Sequence, residues 1–463
     1  MAQAQSSEHV GLARVLGPAH IWALGVGIVL VGEYMGWNFS VGKGGAYAAL
    51  MACWFAGILY TCVAMIDSEV TSTVAAAGGQ YTQAKHIIGP LMAFNVGLYL
   101  VFAYTMLEAA NAITFGFLVD TVAQMSGYQG LDQRPFIILT ILFLAWLNYR
   151  GVLATLTFNL VITAVAFSAV IILFLATSGM FGTSPLRHAE LMSGAAALPY
   201  GWVGVLAAMH FGLWYYLGIE GTTQAAEEVR SPARALPFGT LAGVMTLAIA
   251  ATLTWYMCTG LMPWDYLGQA GVPLFDAARM TGSTALMVLL GIGTMFATLA
   301  SANGCINDAS RAWFAMGRDR YLPGWFGAVH PKYRTPYRSI IFLVPIALIF
   351  ALGAPIDQVI TFSILSGLLE YTFMPLNIIL FRRKWPLDSI NRGYEHPFHP
   401  IPAYVLLALC GTTFFAVFLG YGTQLVAMIA FYIVVSLWFH FWRYRFVNRG
   451  AQFTMPWPKP KGY

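Results

Sequence analysis

Val31-Gly32-Glu33-Tyr34-Met35-Gly36-Trp37-Asn38 lies in the first apolar run of the chain, and His210-Phe211-Gly212-Leu213-Trp214-Tyr215-Tyr216-Leu217-Gly218-Ile219-Glu220-Gly221 lies in the sixth. Each puts glycines and a carboxylate near membrane depth. Glycine weakens a helix interior and permits backbone angles that other residues avoid. Non-helical backbone survives in a bilayer only where it is buried in protein or lines a cavity. Helices 1 and 6 are therefore expected to break near Gly32–Gly36 and Leu213–Gly221, with freed N–H and C=O groups turned toward a solute or ion. Glycines alone would also suit ordinary helix crossings. The carboxylate beside each break shifts the balance toward function.

The rest of the chain reads as membrane. Of its 463 residues 59% are hydrophobic and 9% charged, against roughly 25% charged in a soluble domain. The mean hydropathy is +0.68. About 20 apolar residues suffice for a span. Twelve such segments are expected, at 18–40, 45–68, 90–122, 135–150, 153–178, 200–227, 236–262, 284–316, 339–353, 356–381, 402–421 and 424–443, with segments 4 and 9 short. The fold class is thus an all-α integral membrane protein with 12 transmembrane helices.

Orientation follows from lysine and arginine in the loops. With the N-terminus inside, Lys43, Arg134, Arg187 and Arg279 fall outside, and the other 20 of the 24 basic residues lie on or near the cytoplasmic side. Both termini are therefore expected in the cytoplasm, with the chain multi-pass in the cytoplasmic (inner) membrane. The net charge of +5 is spread over loops beside lipid headgroups and needs no nucleic-acid partner. Met1 to Pro18 does not have the pattern of a secretory signal.

Several functions are excluded. The longest stretches between segments are about 20 residues, too short for a soluble catalytic domain. Gly25-Val26-Gly27 has no strand before it and no Walker lysine after it, which argues against ATP-driven transport. Cys53, Cys62, Cys258, Cys305 and Cys410 all fall in apolar stretches without metal-ligand spacing, so no metal site, disulfide framework or cofactor is implied. The nine histidines lie mostly in loops or near helix ends, unlike the ligand cluster of a membrane-embedded enzyme. His210 reads as a hydrogen-bonded structural residue.

Three further stretches carry a resemblance. Ala77-Gly78-Gly79-Gln80-Tyr81 follows segment 2. Gly218-Ile219-Glu220 leads into Ala226-Glu227-Glu228-Val229-Arg230-Ser231-Pro232-Ala233-Arg234-Ala235-Leu236-Pro237. Segment 8 runs through Ser310-Arg311 to Arg318-Asp319-Arg320-Tyr321-Leu322-Pro323. These are similar to the AGGxY, GxE…ExxNPxxxxP and R…RDxxLP signatures of the amino acid–polyamine–organocation (APC) superfamily, and the chain resembles that superfamily along nearly its whole length. Gly32 to Asn38 looks most like its ethanolamine-permease branch. The resemblance implies ten helices in two inverted five-helix repeats, broken at helices 1 and 6, plus two extra helices. It divides the chain into an N-terminal segment at 1–17, repeats at 18–178 and 200–381, helices 11 and 12 at 402–443, and a tail at 444–463.

Charged side chains at the bilayer centre are functional candidates by default. Glu33, Glu108, Glu220 and Glu370 qualify by depth, with no lysine or arginine at the same level; Arg311 lies nearer the inner end of segment 8. Either burial protonates some of these acids, or a cationic ligand neutralises them. The family docks a substrate carboxylate on bare amides of helix 1 through a Gly-Ser-Gly-like stretch. Glu33 departs from that pattern and should repel a carboxylate, which favours a small-molecule amine such as ethanolamine or an alkylamine. Glu33 as a hydrogen-bonded structural residue is the competing reading. The expected substrate-binding set is Gly32, Glu33, Tyr34, Gly36, Trp37, Tyr104, Glu108, Trp214, Tyr215, Glu220 and Tyr371. Trp214 resembles the family's helix-6 aromatic that closes over the substrate, and an ammonium can sit over such a face. Glu220 is also the candidate for a coupling proton. Asp67, Glu69, Glu227, Glu228, Arg230 and Arg234 are assigned to a cytoplasmic gate network. The family's coupling lysine falls at Ala166 here and its sodium-binding hydroxyl pair at Gly304 and Cys305, with Ser301 nearby. Uniport, proton symport and exchange therefore all stay open, as does an amino acid permease or amino acid/amine exchanger in the same fold.

Overall fold

The computed structural model describes residues 12, 14–193 and 198–447. Most of the expected N-terminal segment at 1–17 and of the tail at 444–463 lies outside the described residues. Among the described residues there are helices and turns but no strand, only one isolated bridge between Leu16 and Val229.

Eight helices are long and apolar enough to cross a membrane, and nine if the bent pair Pro18–Tyr34 and Asn38–Gly44 is one span. The other expected spans differ for visible reasons. Arg134–Arg150 and Tyr337–Gly353 (segments 4 and 9) have 17 residues each, at the short end of a span, as expected of these two segments. Segments 11 and 12 are two helices within Ile401–Phe441 that meet at a kink, with non-helical angles at Tyr421 (φ −139°, ψ 38°) where the expected segments divide. Large apolar side chains such as Trp54, Leu139, Trp202 and Phe441 are exposed on the outer surface, where lipid rather than water would meet them.

Packing fixes the middle of the bundle. Segment 1 lies against segments 5, 7 and 8 and against the turn at Ile219–Thr223 of segment 6. Segment 3 (Pro90–Met125) packs on segment 8 (Thr284–Arg318) and segment 10 (Ile356–Lys384). The pairings recur with a shift of five. Segment 1 packs on 7 as 6 packs on 2, segment 5 on 8 as 10 on 3, and segment 4 on 8 as 9 on 3.

Segment 1 bends by 46° at Met35-Gly36-Trp37, where Gly36 takes φ +90°. Segment 6 is α-helical only over Gly201–Gly212. It continues as 3-10 turns at Leu213–Tyr215 and Ile219–Thr223, with Gly218 left-handed (φ 110°) between them. Both expected breaks are therefore present. The loop after segment 2 folds into the short helix Gly79–Ile87.

Leu16 bridges to Val229, Gly393 abuts Ala233 and Ser72, and Arg311, Arg318, Arg382 and Arg392 make ion pairs with acids of the same region, which we call the basic face. There Glu69 of segment 2 (Ala46–Thr73) is fully buried and accepts from Arg382 at 2.6 Å, from Arg392, and from His396 Nδ1 at 2.6 Å. The cluster ties segments 2 and 10 to the loop before Ile401. Removing one partner of a buried ion pair costs about 3–5 kcal/mol because the other charge is left uncompensated. We expect Glu69→Ala to lower the melting temperature of the detergent-solubilised protein by several degrees. An unchanged melting curve would show that the cluster does not hold this face together.

Candidate functional site

The two breaks touch each other. Trp214 Nε1 donates to Met35 O at 3.1 Å, which satisfies a carbonyl freed by the bend. A Cβ on Gly32 would stand 2.5 Å from Trp214 O, and one on Gly36 would stand 2.5 Å from Trp214 Nε1. Glycine is required at both positions by this close approach. Asn38 completes the turn: its Oδ1 accepts from Gly36 N at 3.0 Å, and its Nδ2 donates to Leu267 O and Ala270 O at 2.8 Å each.

Glu33 sits in the first break, fully buried, with neither carboxyl oxygen hydrogen-bonded. Cys53, Tyr215 and Tyr216 are its electrostatic neighbours. Trp37 stacks on Tyr215 with ring centroids 5.5 Å apart, and Trp37 Nε1 and Tyr215 OH are likewise without partners. Buried polar atoms are normally satisfied, so such a concentration of unpaired ones makes this break a candidate site.

Glu220 in the second break is held differently. Its Oε2 accepts from Gly218 N at 3.2 Å, and Tyr104 OH donates to its Oε1 at 3.4 Å. Tyr371 also hydrogen-bonds the carboxyl, and Tyr60 OH donates to Tyr371 OH at 3.1 Å. Glu370 lies beside this group within electrostatic reach of Glu220 and Asp67, with both its oxygens unpartnered. The stacked rings of Tyr60 and Tyr216, 5.6 Å apart, bridge from the Glu220 neighbourhood to that of Glu33.

The expected residues thus fall into two adjoining neighbourhoods. Glu33, Trp37 and Tyr215 form the first, with Gly32, Gly36 and Trp214 shaping its backbone. Glu220, Tyr104 and Tyr371 form the second. Tyr34 turns away, its hydroxyl donating to Ala166 O at 2.7 Å. Glu108 is buried and unpartnered near Cys305. His210 bonds Thr361 Oγ1 at 3.3 Å, in keeping with a structural role.

Sequence reasoning overlooked Asp308 of segment 8, fully buried with Oδ2 unpartnered. Its acid on an apolar helix was the available signal. Asp67, expected with the gate network, accepts from Gln80 and, at 2.9 Å, from Gln83. Gln80 in turn reaches Glu220 O at 3.4 Å and accepts from Thr223 and Gln224. The three signature stretches meet here. Gln80 and Tyr81 come from the first, Glu220 to Glu228 from the second, and Asp319, which accepts from Tyr81 OH at 2.9 Å, from the third. Nearer the basic face Arg311 makes a two-pronged pair with Glu228 (2.7 and 2.9 Å), and Arg318 pairs with Glu227 at 3.1 Å. Among the described residues no cluster of His, Cys, Asp and Glu suits a metal ion.

Comparison with known proteins gives a consistent picture. The family model described as amino acid permease matches residues 20–454. The chain is 77% identical over 462 residues to an uncharacterized transporter of Rhizobium meliloti (strain 1021), covering 99% of this chain and 98% of that one. It is 25% identical to the methylthioribose transporter of Bacillus subtilis (strain 168), over 87% of this chain and 88% of the relative. It is 23% identical to a branched-chain amino acid permease of the same bacterium, over 87% and 84%. None of these three is named for ethanolamine.

The contact of Gly36 with the Trp214 indole generates a test. Gly36→Ala combines a left-handed conformation, costing an L-residue about 1–2 kcal/mol, with a collision against Trp214. Gly127 has φ +84° with nothing within 4 Å of its would-be Cβ, so Gly127→Ala isolates the backbone cost. We expect Gly36→Ala to melt several degrees below Gly127→Ala and to shift tryptophan emission. Equal melting of the two would mean the breaks do not lean on each other.

Proposed function

This chain belongs to the amino acid permease family, and we propose that within it the chain is a secondary carrier that moves a small cationic amine, such as ethanolamine or an alkylamine, by alternating access. One observation carries the reading: Glu33, Glu108 and Glu370 are fully buried with no hydrogen-bond partner, while Arg311 is already taken by Glu228. An unpaired buried carboxylate costs several kcal/mol. An ammonium 4 Å away returns roughly 4 kcal/mol at an effective dielectric of about 20. The ligand would lie between Glu33 and the Trp37–Tyr215 pair, its apolar part against the rings.

The geometry of the first break supports an amine over an amino acid. Gly36 N, an amide that a substrate carboxylate would seek, is capped by Asn38 Oδ1, and Glu33 stands beside it. A second reading, an amino acid carrier or amino acid/amine exchanger, draws on the family description and on the relative named for branched-chain amino acids. In either case Glu220, held by two tyrosines and a backbone amide, is the proton-exchanging group. The recurrence of packing pairs with a shift of five supports two five-helix repeats, 18–178 and 200–381, moving against each other. The arginine-rich face is assigned to the cytoplasm, with both termini there and the chain in the inner membrane.

Calorimetry on the purified protein separates the substrate readings. We expect ethanolamine and alkylamines to bind at least tenfold tighter than glycine, alanine or leucine, and Glu33→Gln to weaken amine binding by a similar factor. Tight binding of the amino acids without the amines would move the protein to the second reading. We further expect Glu220→Gln to remove the dependence of uptake on a pH gradient in proteoliposomes. Normal uptake with the original pH profile would clear Glu220 of any coupling role.

A further inference from the structure

Asp308 is not used by the substrate reading, and its geometry is specific. It lies on segment 8, fully buried. Asn307 Nδ2 donates to its Oδ1 at 2.8 Å, which orients the carboxyl and leaves Oδ2 without a partner. Oδ2 points at the unwound part of segment 6: a Cβ on Gly221 would run into it. Glycine at 221 thus leaves the room that this carboxyl fills, one residue from Glu220. One turn further along the same helix, Arg311 is held by Glu228 and by its bond to Asn307 O at 2.9 Å. Asp308 therefore stands between the Glu220 neighbourhood and the ion pair that closes the basic face.

We propose that Asp308 is a second proton-carrying carboxyl, which receives the proton held at Glu220 and releases it toward the basic face when segment 6 moves off segment 8. The proposal rests on the carrier reading above with Glu220 as the first proton site. The step is a transfer from the Glu220 carboxylic acid to the Asp308 carboxylate, leaving Glu220 ionised and Asp308 neutral. The charged and titratable groups facing Asp308 are Glu220 and Glu228 from segment 6 and its loop, Tyr104 from segment 3, and Arg311 and Cys305 from its own helix. Glu108 of segment 3 faces Cys305. In the closed arrangement the neutral acid packs against Gly221 beside Glu220, and a second negative charge there would be repelled. Separation of segment 6 from segment 8 admits water, and the proton leaves.

Two measurements test this. Infrared difference spectra of the full chain in lipid, wild type against Asp308→Asn, should show one protonated-carboxyl band that is missing in the variant and titrates away as pH rises. No such band at any pH where the protein stays folded would overturn the proposal. This arm needs no substrate, so it stands even if the amine reading fails. In proteoliposomes, uptake of labelled ethanolamine, or of leucine if the wild type takes no ethanolamine, is driven by a pH gradient and compared with counterflow. Asp308→Asn should lose gradient-driven uptake at least tenfold, raising the ratio of counterflow to driven uptake by a similar factor, and Asp308→Glu should restore part of it. An unchanged pH profile in Asp308→Asn would overturn the proposal. Should Asp308→Asn fail to fold, Asp308→Glu must instead shift both the band and the pH profile, and failure to shift either counts against it.

Discussion

A peptide group that leaves a helix inside a bilayer has no water to turn to, and must find its partner within the protein. Much of the centre of this molecule answers that requirement. The bend at Met35-Gly36-Trp37 frees a carbonyl, and Trp214 of the other broken segment supplies the donor. Asn38 closes the amide at Gly36 and anchors the second half of segment 1 to the loop at 267–270. In segment 6, 3-10 bonds take over as the α-ladder ends, and the Glu220 side chain accepts from Gly218 N. The carboxyl beside the second break is therefore partly a backbone cap, whereas the one beside the first is free of that duty.

The same economy separates two populations of buried acids. Near the basic face the acids Glu69, Glu227 and Glu228 are matched by Arg382, Arg392, Arg318 and Arg311. Such pairs lock one arrangement of helices and resist its opening. Deeper in the bundle Glu33, Glu108, Glu370 and one oxygen of Asp308 have no partner at all. A group left unsatisfied is poised to respond to a cation or a proton, since either changes its energy more than it changes a paired group's. The distribution separates paired from unpaired acids along the bundle without reference to any particular substrate.

Much of this was legible in the residues. Glycines flanking a carboxylate inside apolar runs marked both breaks, because few other reasons place that combination at membrane depth. The three signature stretches marked helix order, and the structure brings them to one network around Gln80, Glu220 and Asp319. Helix boundaries were legible where glycines mark them: the division between segments 11 and 12 falls at the kink at Tyr421, which lies between two glycines. Asp308 was passed over because a sequence shows an acid but not whether its oxygens are satisfied. Asp67 and Glu69 are two residues apart, yet one joins a glutamine network at the second break and the other an arginine cluster at the basic face. On a helix, residues two apart point to different sides, and only packing determines which side meets which partner.

The two breaks also behave mechanically as one object. Gly32 and Gly36 press on Trp214, while Gly218 and Gly221 press on Ile28, which also fills the space beside Gly304 of segment 8. Segment 1 thus meets segment 6 at two levels, at Trp214 beside its own bend and at the Gly218–Gly221 turn through Ile28, and Ile28 wedges between segments 6 and 8. Packed interiors switch between discrete arrangements rather than deforming smoothly. A shift of segment 1 caused by neutralising Glu33 must therefore carry the Gly218–Gly221 turn with it, or lose the contacts that satisfy Met35 O. That turn bears Glu220 and abuts Asp308. In the proposed carrier, this backbone, which only glycine lets come so close, is the contact through which a cation at the first carboxyl and a proton at the second would act on each other without meeting directly.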